Sequence, residues 1–153
     1  MQLANATAPM LVPPRGAILG FFAEYLFLSS YYKAAVFLDG LRYPSAEHAY
    51  VAQKSAGLKM RAFIASLPSA QEAHDLGRAM QVHCDWPACR IAAMERVLRA
   101  KFADPALRAA LVATGTQYLE AGNDWGDTFW GVYQGQGLNH LGHLLMRLRD
   151  EFR

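Results

Sequence analysis

The sequence has few charged residues, few cysteines and no long apolar run. Charged residues make up 18% of its 153 positions, and the formal net charge is only +2. Proteins that bind nucleic acids usually carry a concentrated basic stripe, so this charge alone does not indicate one. Charges or glycines interrupt the apolar runs well before the length that spans a bilayer, so no membrane helix is expected.

The two cysteines, Cys84 and Cys89, are too few for a disulfide framework. Structural zinc sites use four ligands, and His83 with these two cysteines lacks a second ligand pair at a normal spacing. We therefore expect two reduced thiols, no metal ion and no other cofactor.

The N-terminal residues lack the features of a secretion signal. Residues 1–15 have neither a basic start nor a continuous apolar core, and they are rich in alanine and proline. We expect them to form a flexible lead-in and the protein to be cytoplasmic. Residues 16–153 contain no repeat, low-complexity segment or linker, so we expect them to form one domain.

Hydrophobic residues, in contrast, are abundant at 53%, which is typical of a globular domain. Asp39-Gly40 between two apolar stretches predicts a β-hairpin, and the apolar run 17–22 predicts a buried strand. The glycine-rich segment 121–137 has no periodicity and is interpreted as a shaped loop.

Helical signals dominate the rest of the chain, beginning at Ser45. Ser69 and Glu72 form a predicted capping box, and the helix that they open is expected to end near Gly77. A last helix is expected to begin after Asn139. The predicted fold class is therefore mainly α: a compact helical domain with a small N-terminal β element.

The most informative block runs Tyr43-Pro44-Ser45-Ala46-Glu47-His48-Ala49-Tyr50-Val51-Ala52-Gln53-Lys54. Pro44 and Ser45 predict a turn and a helix cap. Glu47, Tyr50 and Lys54 then share one helical face, and a carboxylate, a phenol and an amine are candidates for an acid, a base and a nucleophile. A structural interpretation stays open, in which Glu47 complements the helix dipole and Lys54 is an exposed charge.

Other short motifs follow this block in a fixed order. Leu28-Ser29-Ser30-Tyr31 precedes it, and those after it are Leu76-Gly77-Arg78, Asp85-Trp86, Val97-Leu98-Arg99-Ala100-Lys101-Phe102, Leu107-Arg108, Leu111-Val112-Ala113-Thr114-Gly115, Asp127-Thr128-Phe129-Trp130-Gly131, Gly137-Leu138-Asn139-His140-Leu141-Gly142 and Leu144-Leu145-Met146-Arg147-Leu148-Arg149. The ordered set, from about Phe21 to the C-terminus, resembles the NADAR family.

The resemblance implies an N-glycosidase that cleaves the bond between a nitrogen and C1 of a phosphorylated ribose or of ADP-ribose. Its implied partners are riboflavin-pathway phosphoribosylamino-pyrimidines, or ADP-ribosylated guanine as a free nucleotide or within nucleic acid. A non-catalytic binder of ADP-ribose or a related nucleotide is the alternative. A helical interaction module without a small-molecule site has only the composition in its favour.

Three residues are the predicted catalytic groups. Glu47 and Asp127 are the acids inside the matching motifs, and carboxylates can stabilise positive charge at C1 and activate water. Lys54 offers another route, because a neutral amine can attack C1 of a ring-opened sugar and form a Schiff base. The sequence leaves direct hydrolysis and the Schiff-base route open.

The predicted substrate contacts begin with Trp130 and Trp86, on which a base can stack, although tryptophans also fill cores. Arg78, Arg99 and Lys101 lie in motifs and can meet a phosphate, or can be plain surface charges.

The other predicted contacts are Ser30, Tyr50, Gly131 and Asn139, and helix capping is a simpler explanation for Asn139. Ser30 stands where the family usually has asparagine. Val132 follows Trp130-Gly131 where the family usually has aspartate, which leaves the substrate preference and the activity open.

Overall fold

The computed structural model describes Met10 and residues 12–153. Most of the predicted lead-in, residues 1–15, lies outside these residues. In the described part the fold is mainly α, as predicted, and none of its helices is long and apolar enough to cross a bilayer. The elements are β1 (Ile18–Leu19), a 3-10 helix (Ala23–Leu28), β2 (Lys33–Leu38), β3 (Leu41–Ser45), α1 (Ala46–Ala52), α2 (Leu58–Ser66), α3 (Ala70–Ala79), α4 (Trp86–Lys101), α5 (Pro105–Ala113), β4 (Leu119–Glu120), β5 (Gly122–Asn123), β6 (Val132–Tyr133) and α6 (His140–Glu151).

The predicted hairpin is formed by β2 and β3, which pair antiparallel. Asp39 and Gly40 both have positive φ, at 50° and 79°, as a type I′ turn requires. β3 leads directly into α1, and the Ser45 hydroxyl accepts a hydrogen bond from the His48 N–H at 3.2 Å. The hairpin and this cap together fix where α1 begins.

The strand predicted over 17–22 is shorter than expected. β1 has only two residues, because positive φ values at Gly20 and Ala23 turn the backbone into the 3-10 helix. It pairs in parallel with β4. A second parallel pair, β5 with β6, lies inside the glycine-rich segment. Parallel strands are not joined by a tight hairpin turn, so the hairpin signals had no bearing on these two pairs.

The centre of the domain is α1, whose seven residues are all buried. It contacts α2, α3, α4 and β3. A helix that is enclosed on all sides is normally apolar, yet α1 carries Glu47 and His48. His48 is satisfied by Ser45 Oγ at 2.7 Å and by the Leu67 carbonyl at 3.0 Å. The burial of Glu47 therefore needs an explanation of its own.

The predicted start of α3 is confirmed, and the helix ends two residues after the position near which its end was predicted. Ser69 and Glu72 form the capping box, yet the helix runs to Ala79, two residues beyond Gly77. A Cβ at Gly77 would lie 2.9 Å from a methyl group of Val51 in α1. The glycine therefore permits α1 and α3 to pack closely rather than ending the helix.

Candidate active site

Glu47 is a buried carboxylate in the first turn of α1, with 6% of its surface exposed. The Ser30 hydroxyl donates to Glu47 Oε2 at 3.1 Å, and the Glu47 N–H donates to the Ser30 carbonyl at 2.9 Å. His74 Nδ1 lies 3.0 Å from Glu47 Oε1. Both carboxylate oxygens thus have a polar partner, which offsets the free-energy cost of burying the group.

His74 links this carboxylate to solvent, because its side chain is 41% exposed. The hydrogen bond with Glu47 is the main reason why the pKa of the His74 imidazole is raised above its ordinary value. An imidazole that holds a proton beside Glu47 and exchanges it with water suits acid–base chemistry. Sequence reasoning left His74 unassigned, since no local pattern links it to a residue 27 positions earlier.

Tyr50, one turn after Glu47, lies within a cluster of aromatic rings. Its ring centre is 5.2 Å from that of Trp86 and 5.5 Å from that of Trp130, which it meets edge-on. Phe129 adds an edge-on contact to Trp130 at 4.9 Å. Burial, and then the charge of Glu47, raise the pKa of Tyr50, so its phenol stays protonated. We call Tyr50, Trp86, Phe129 and Trp130 the aromatic cluster.

Lys54 lies in the turn that follows α1. Its Nζ donates to the Gly77 carbonyl at 2.8 Å and lies 5.5 Å from the centre of the Trp86 ring. Burial lowers the pKa of the Lys54 amine, and the charge of Glu47 partly opposes this. The side chain is half-buried and held, so it is not the freely exposed charge of the structural interpretation. A lowered pKa gives more neutral amine near pH 7, which a nucleophile needs.

Asp127 and Gly131 shape the loop around Trp130. Asp127 Oδ1 accepts hydrogen bonds from the N–H groups of Phe129 at 3.0 Å and Trp130 at 2.9 Å. The Asp127 N–H donates to Asn123 Oδ1 at 2.9 Å. Gly131 is buried, and a Cβ there would collide with neighbouring backbone. These contacts explain how both residues position Trp130, while the catalytic role of Asp127 stays a prediction.

Asn139 serves the backbone rather than a ligand surface. It is 0% exposed, its Oδ1 accepts from the Ala121 N–H, and its Nδ2 donates to the Leu119 carbonyl and the Tyr118 hydroxyl. Asn139 stands at the N-cap position of α6, as predicted, but its φ is 51° and its side chain makes no capping hydrogen bond. The side-chain amide of Asn139 links the start of α6 to β4 by hydrogen bonds. Because these bonds occupy its polar atoms, we leave Asn139 out of the proposed site.

The three cations that were considered for a phosphate contact have different surroundings. Arg99 pairs with Glu151 at 2.8 Å, and Lys101 is fully buried with its amine bonded to two backbone carbonyls. Lys101 is therefore bound within the fold and Arg99 belongs to a surface ion pair, so neither is included in the proposed site. Arg78 is exposed on α3, one turn after His74, and its charge acts on that imidazole.

The comparisons with known proteins identify the family. The model of the NADAR family, described as NADAR domain, matches residues 17–153. The chain therefore belongs to the NADAR family, and the predictions of the family and of a mainly α fold are confirmed.

Relatives in this family include the N-glycosidase YbiA of Escherichia coli, 33% identical over 141 residues that are 88% of this chain and 88% of that protein. The NMR structure of Escherichia coli YbiA matches with a TM-score of 0.75 at 30% identity, over 94% of this chain and 92% of that one. A riboflavin biosynthesis protein of Vibrio vulnificus is 33% identical over 131 residues, which are 83% of this chain. The chain spans only 35% of that longer protein.

Proposed function

We propose that this chain is an N-glycosidase that hydrolyses the bond between a nitrogen and C1 of a phosphorylated ribose or of ADP-ribose. The observation that carries the proposal is the buried Glu47 carboxylate, paired with His74 and followed by Tyr50 on the same helix and by Lys54 in the next turn. Two relatives that the chain matches over most of their length, 88% and 84%, are named N-glycosidases.

These side chains can support two routes. In the first, the sugar ring opens, the neutral Lys54 amine adds to C1, and the base leaves as an amine after taking a proton from the Glu47–His74 pair. Water then adds to the resulting Schiff base, and the sugar aldehyde and the free lysine are released. In the second, Glu47 removes a proton from water as the water attacks C1, the bond from C1 to the nitrogen breaks, and the departing nitrogen takes up a proton from solvent. In both routes the Glu47 charge stabilises positive charge at C1.

Two substrate classes fit the proposal. The names of the relatives favour phosphoribosylamino-pyrimidines of riboflavin synthesis, and ADP-ribose attached to guanine is the second class. Both have a flat ring system, which suits stacking on Trp86 or Trp130.

A non-catalytic binder of ADP-ribose or a related nucleotide is the second candidate function. Val132 favours it, because the residue is apolar, is 4% exposed on β6 and stands where the family resemblance implies an aspartate.

One incubation tests the proposal. The purified protein is mixed separately with a phosphoribosylamino-pyrimidine and with guanosine-linked ADP-ribose, and the products are identified by mass spectrometry. We expect release of the base from at least one of them. Calorimetric binding of ADP-ribose without base release would make the protein a binder, and neither binding nor release would contradict both functions.

Borohydride trapping separates the two routes. If Lys54 forms a Schiff base, reduction during turnover should leave a stable sugar adduct on it, visible in the intact mass and mapped by peptide analysis. Lys54→Met should abolish the adduct, whereas Lys59→Met, which changes an exposed lysine on α2, should retain it. No adduct in the wild type, together with an active Lys54 variant, would leave direct hydrolysis.

Trp130→Ala tests whether this tryptophan is a stacking surface. Loss of a base–aromatic stack should weaken binding of ADP-ribose by about 1–3 kcal/mol in a calorimetric titration. Trp125→Ala is the matched control, since Trp125 lies in the same loop and is 75% exposed. A tryptophan with a purely core role would instead cost about 3–5 kcal/mol of folding stability and leave the affinity of the folded protein unchanged.

A further inference from the structure

Arg90 is a cation of the aromatic cluster that neither the sequence motifs nor the proposed chemistry uses. It lies one helical turn after Trp86 on α4, and so on the same face. Its Cζ is 3.2 Å from the centre of the Phe129 ring. The positive charge of Arg90 also acts on the Tyr50 phenol. Arg90 is therefore within electrostatic range of the centre of the cluster.

The guanidinium of Arg90 is held in place but is not neutralised. Among the described residues, no carboxylate forms an ion pair with it. Its Nε is buried without a hydrogen-bond partner. Stacking on Phe129 fixes the plane of the guanidinium. Because Nε is buried, the two terminal nitrogens are the ones that can donate to a ligand.

A fixed guanidinium fork with no carboxylate partner is suited to an anion with several oxygens. Two parallel N–H···O bonds match the oxygens of a phosphate, and both are strengthened by opposite charge. The aromatic rings of the cluster suit a base. Neither a base nor a ribose needs a cation, so the positive charge of Arg90 suits an anionic group of the same ligand. The site is thus built for a ligand with an aromatic part and an anionic part.

We propose that Arg90 binds the phosphate of the substrate and makes the site selective for phosphorylated ribosyl compounds over their dephosphorylated counterparts. This inference rests on the proposed function, because it places the anion in the same site as the scissile bond. It assigns to Arg90 the recognition of a part of the substrate that takes no part in the chemical step.

Binding of ribose 5-phosphate and of ribose, measured by calorimetry, tests the inference without turnover. The wild type should bind the phosphate at least about 10-fold more tightly than ribose, as expected for charge-assisted hydrogen bonds. Arg90→Gln should lose this preference. Arg90→Met keeps an aliphatic stem on Phe129 and should lose the preference too, so the test survives if one variant folds poorly.

The matched control is Arg108→Gln. Arg108 also stacks on a phenylalanine, with its Cζ 4.0 Å from the Phe152 ring centre, but it belongs to α5, which contributes no residue to the aromatic cluster. This variant should keep the full preference. A folded Arg90 variant that retains the preference, or a wild type without one, would overturn the inference.

The outcome is separable from that of the proposed function. If Arg90 variants lose the preference while the wild type releases no base, the phosphate site stands and the glycosidase proposal fails. If the wild type releases base while the Arg90 variants still prefer ribose 5-phosphate to ribose, the glycosidase proposal stands and the phosphate site fails.

Discussion

Glu47→Gln is expected to lower turnover by roughly 10²-fold or more, because glutamine keeps the shape of the side chain but cannot carry the proton or the charge. Ser30 and His74 retain a hydrogen-bonding partner in this variant, so the fold should survive. Steady-state rates and thermal melts on the same preparation separate the two effects. Glu24→Gln, a change at an exposed position of the 3-10 helix, should leave both unchanged.

The same variant has an independent spectroscopic signature at His74. The hydrogen bond and the charge of Glu47 raise the pKa of this imidazole in the wild type, so the pKa should fall when glutamine replaces the acid. An NMR titration of His74 measures the change. Unchanged turnover would remove Glu47 from the mechanism and leave it the helix-dipole role.

Lys101 is expected to make the stability of the protein depend on pH above neutrality. Its side chain is 0% exposed, and its amine donates to the carbonyls of Phe27 at 2.6 Å and Ser29 at 2.8 Å. Burial lowers the pKa of Lys101 to about 7 in the folded protein. A neutral amine still has two N–H donors for these two carbonyls.

The sign of the effect follows from which state binds the proton. The pKa is about 7 in the folded state and 10.5 for a free lysine, so between these values the unfolded chain binds the proton more tightly. The free energy of unfolding should therefore rise with pH above 7, with a slope approaching about 1.4 kcal/mol per pH unit from this group. Below pH 7 Lys101 is protonated in both states, and the free-energy cost of burying its charge no longer changes with pH.

Urea denaturation of the wild type and of Lys101→Met between pH 7 and pH 9 measures this slope. The variant should lose the added slope, although it leaves two carbonyls unpaired and should be less stable at the upper end. Lys59→Met, at an exposed position, should follow the wild type. Parallel curves for the wild type and the Lys101 variant would mean that Lys101 stays protonated in the folded protein.

The sequence predicted the parts of the molecule that short-range chemistry determines. Asp39-Gly40 specified the hairpin, Ser45 the start of α1, and the spacing of Glu47 and Tyr50 one face of that helix. These features depend on backbone conformations and on periodicity over a few residues, so they can be derived without knowledge of the rest of the fold. The prediction that Lys54 shares this helical face is wrong, because α1 ends at Ala52 and Lys54 lies in the turn after it.

The parts that it missed depend on contacts between distant segments. His74 contacts Glu47, which lies 27 positions earlier, and no sequence pattern near His74 predicts this contact. Lys101 was considered for a phosphate because it lies in a matching motif, and only the packed structure shows that its amine donates to the carbonyls of two distant residues, Phe27 and Ser29. The structural contacts of Asp127 were within reach, since aspartate side chains commonly bond to backbone N–H groups two or three residues later.

The complete burial of α1 determines where this protein can be redesigned. Every one of its seven residues packs in the interior, so a change of side-chain volume there disturbs the core as well as the chemistry. The loop 121–137 and the first turn of α4 meet the same site from outside this helix and include exposed positions. A new substrate preference is therefore reached at the lowest structural cost by varying those two segments while Glu47 and Lys54 stay fixed.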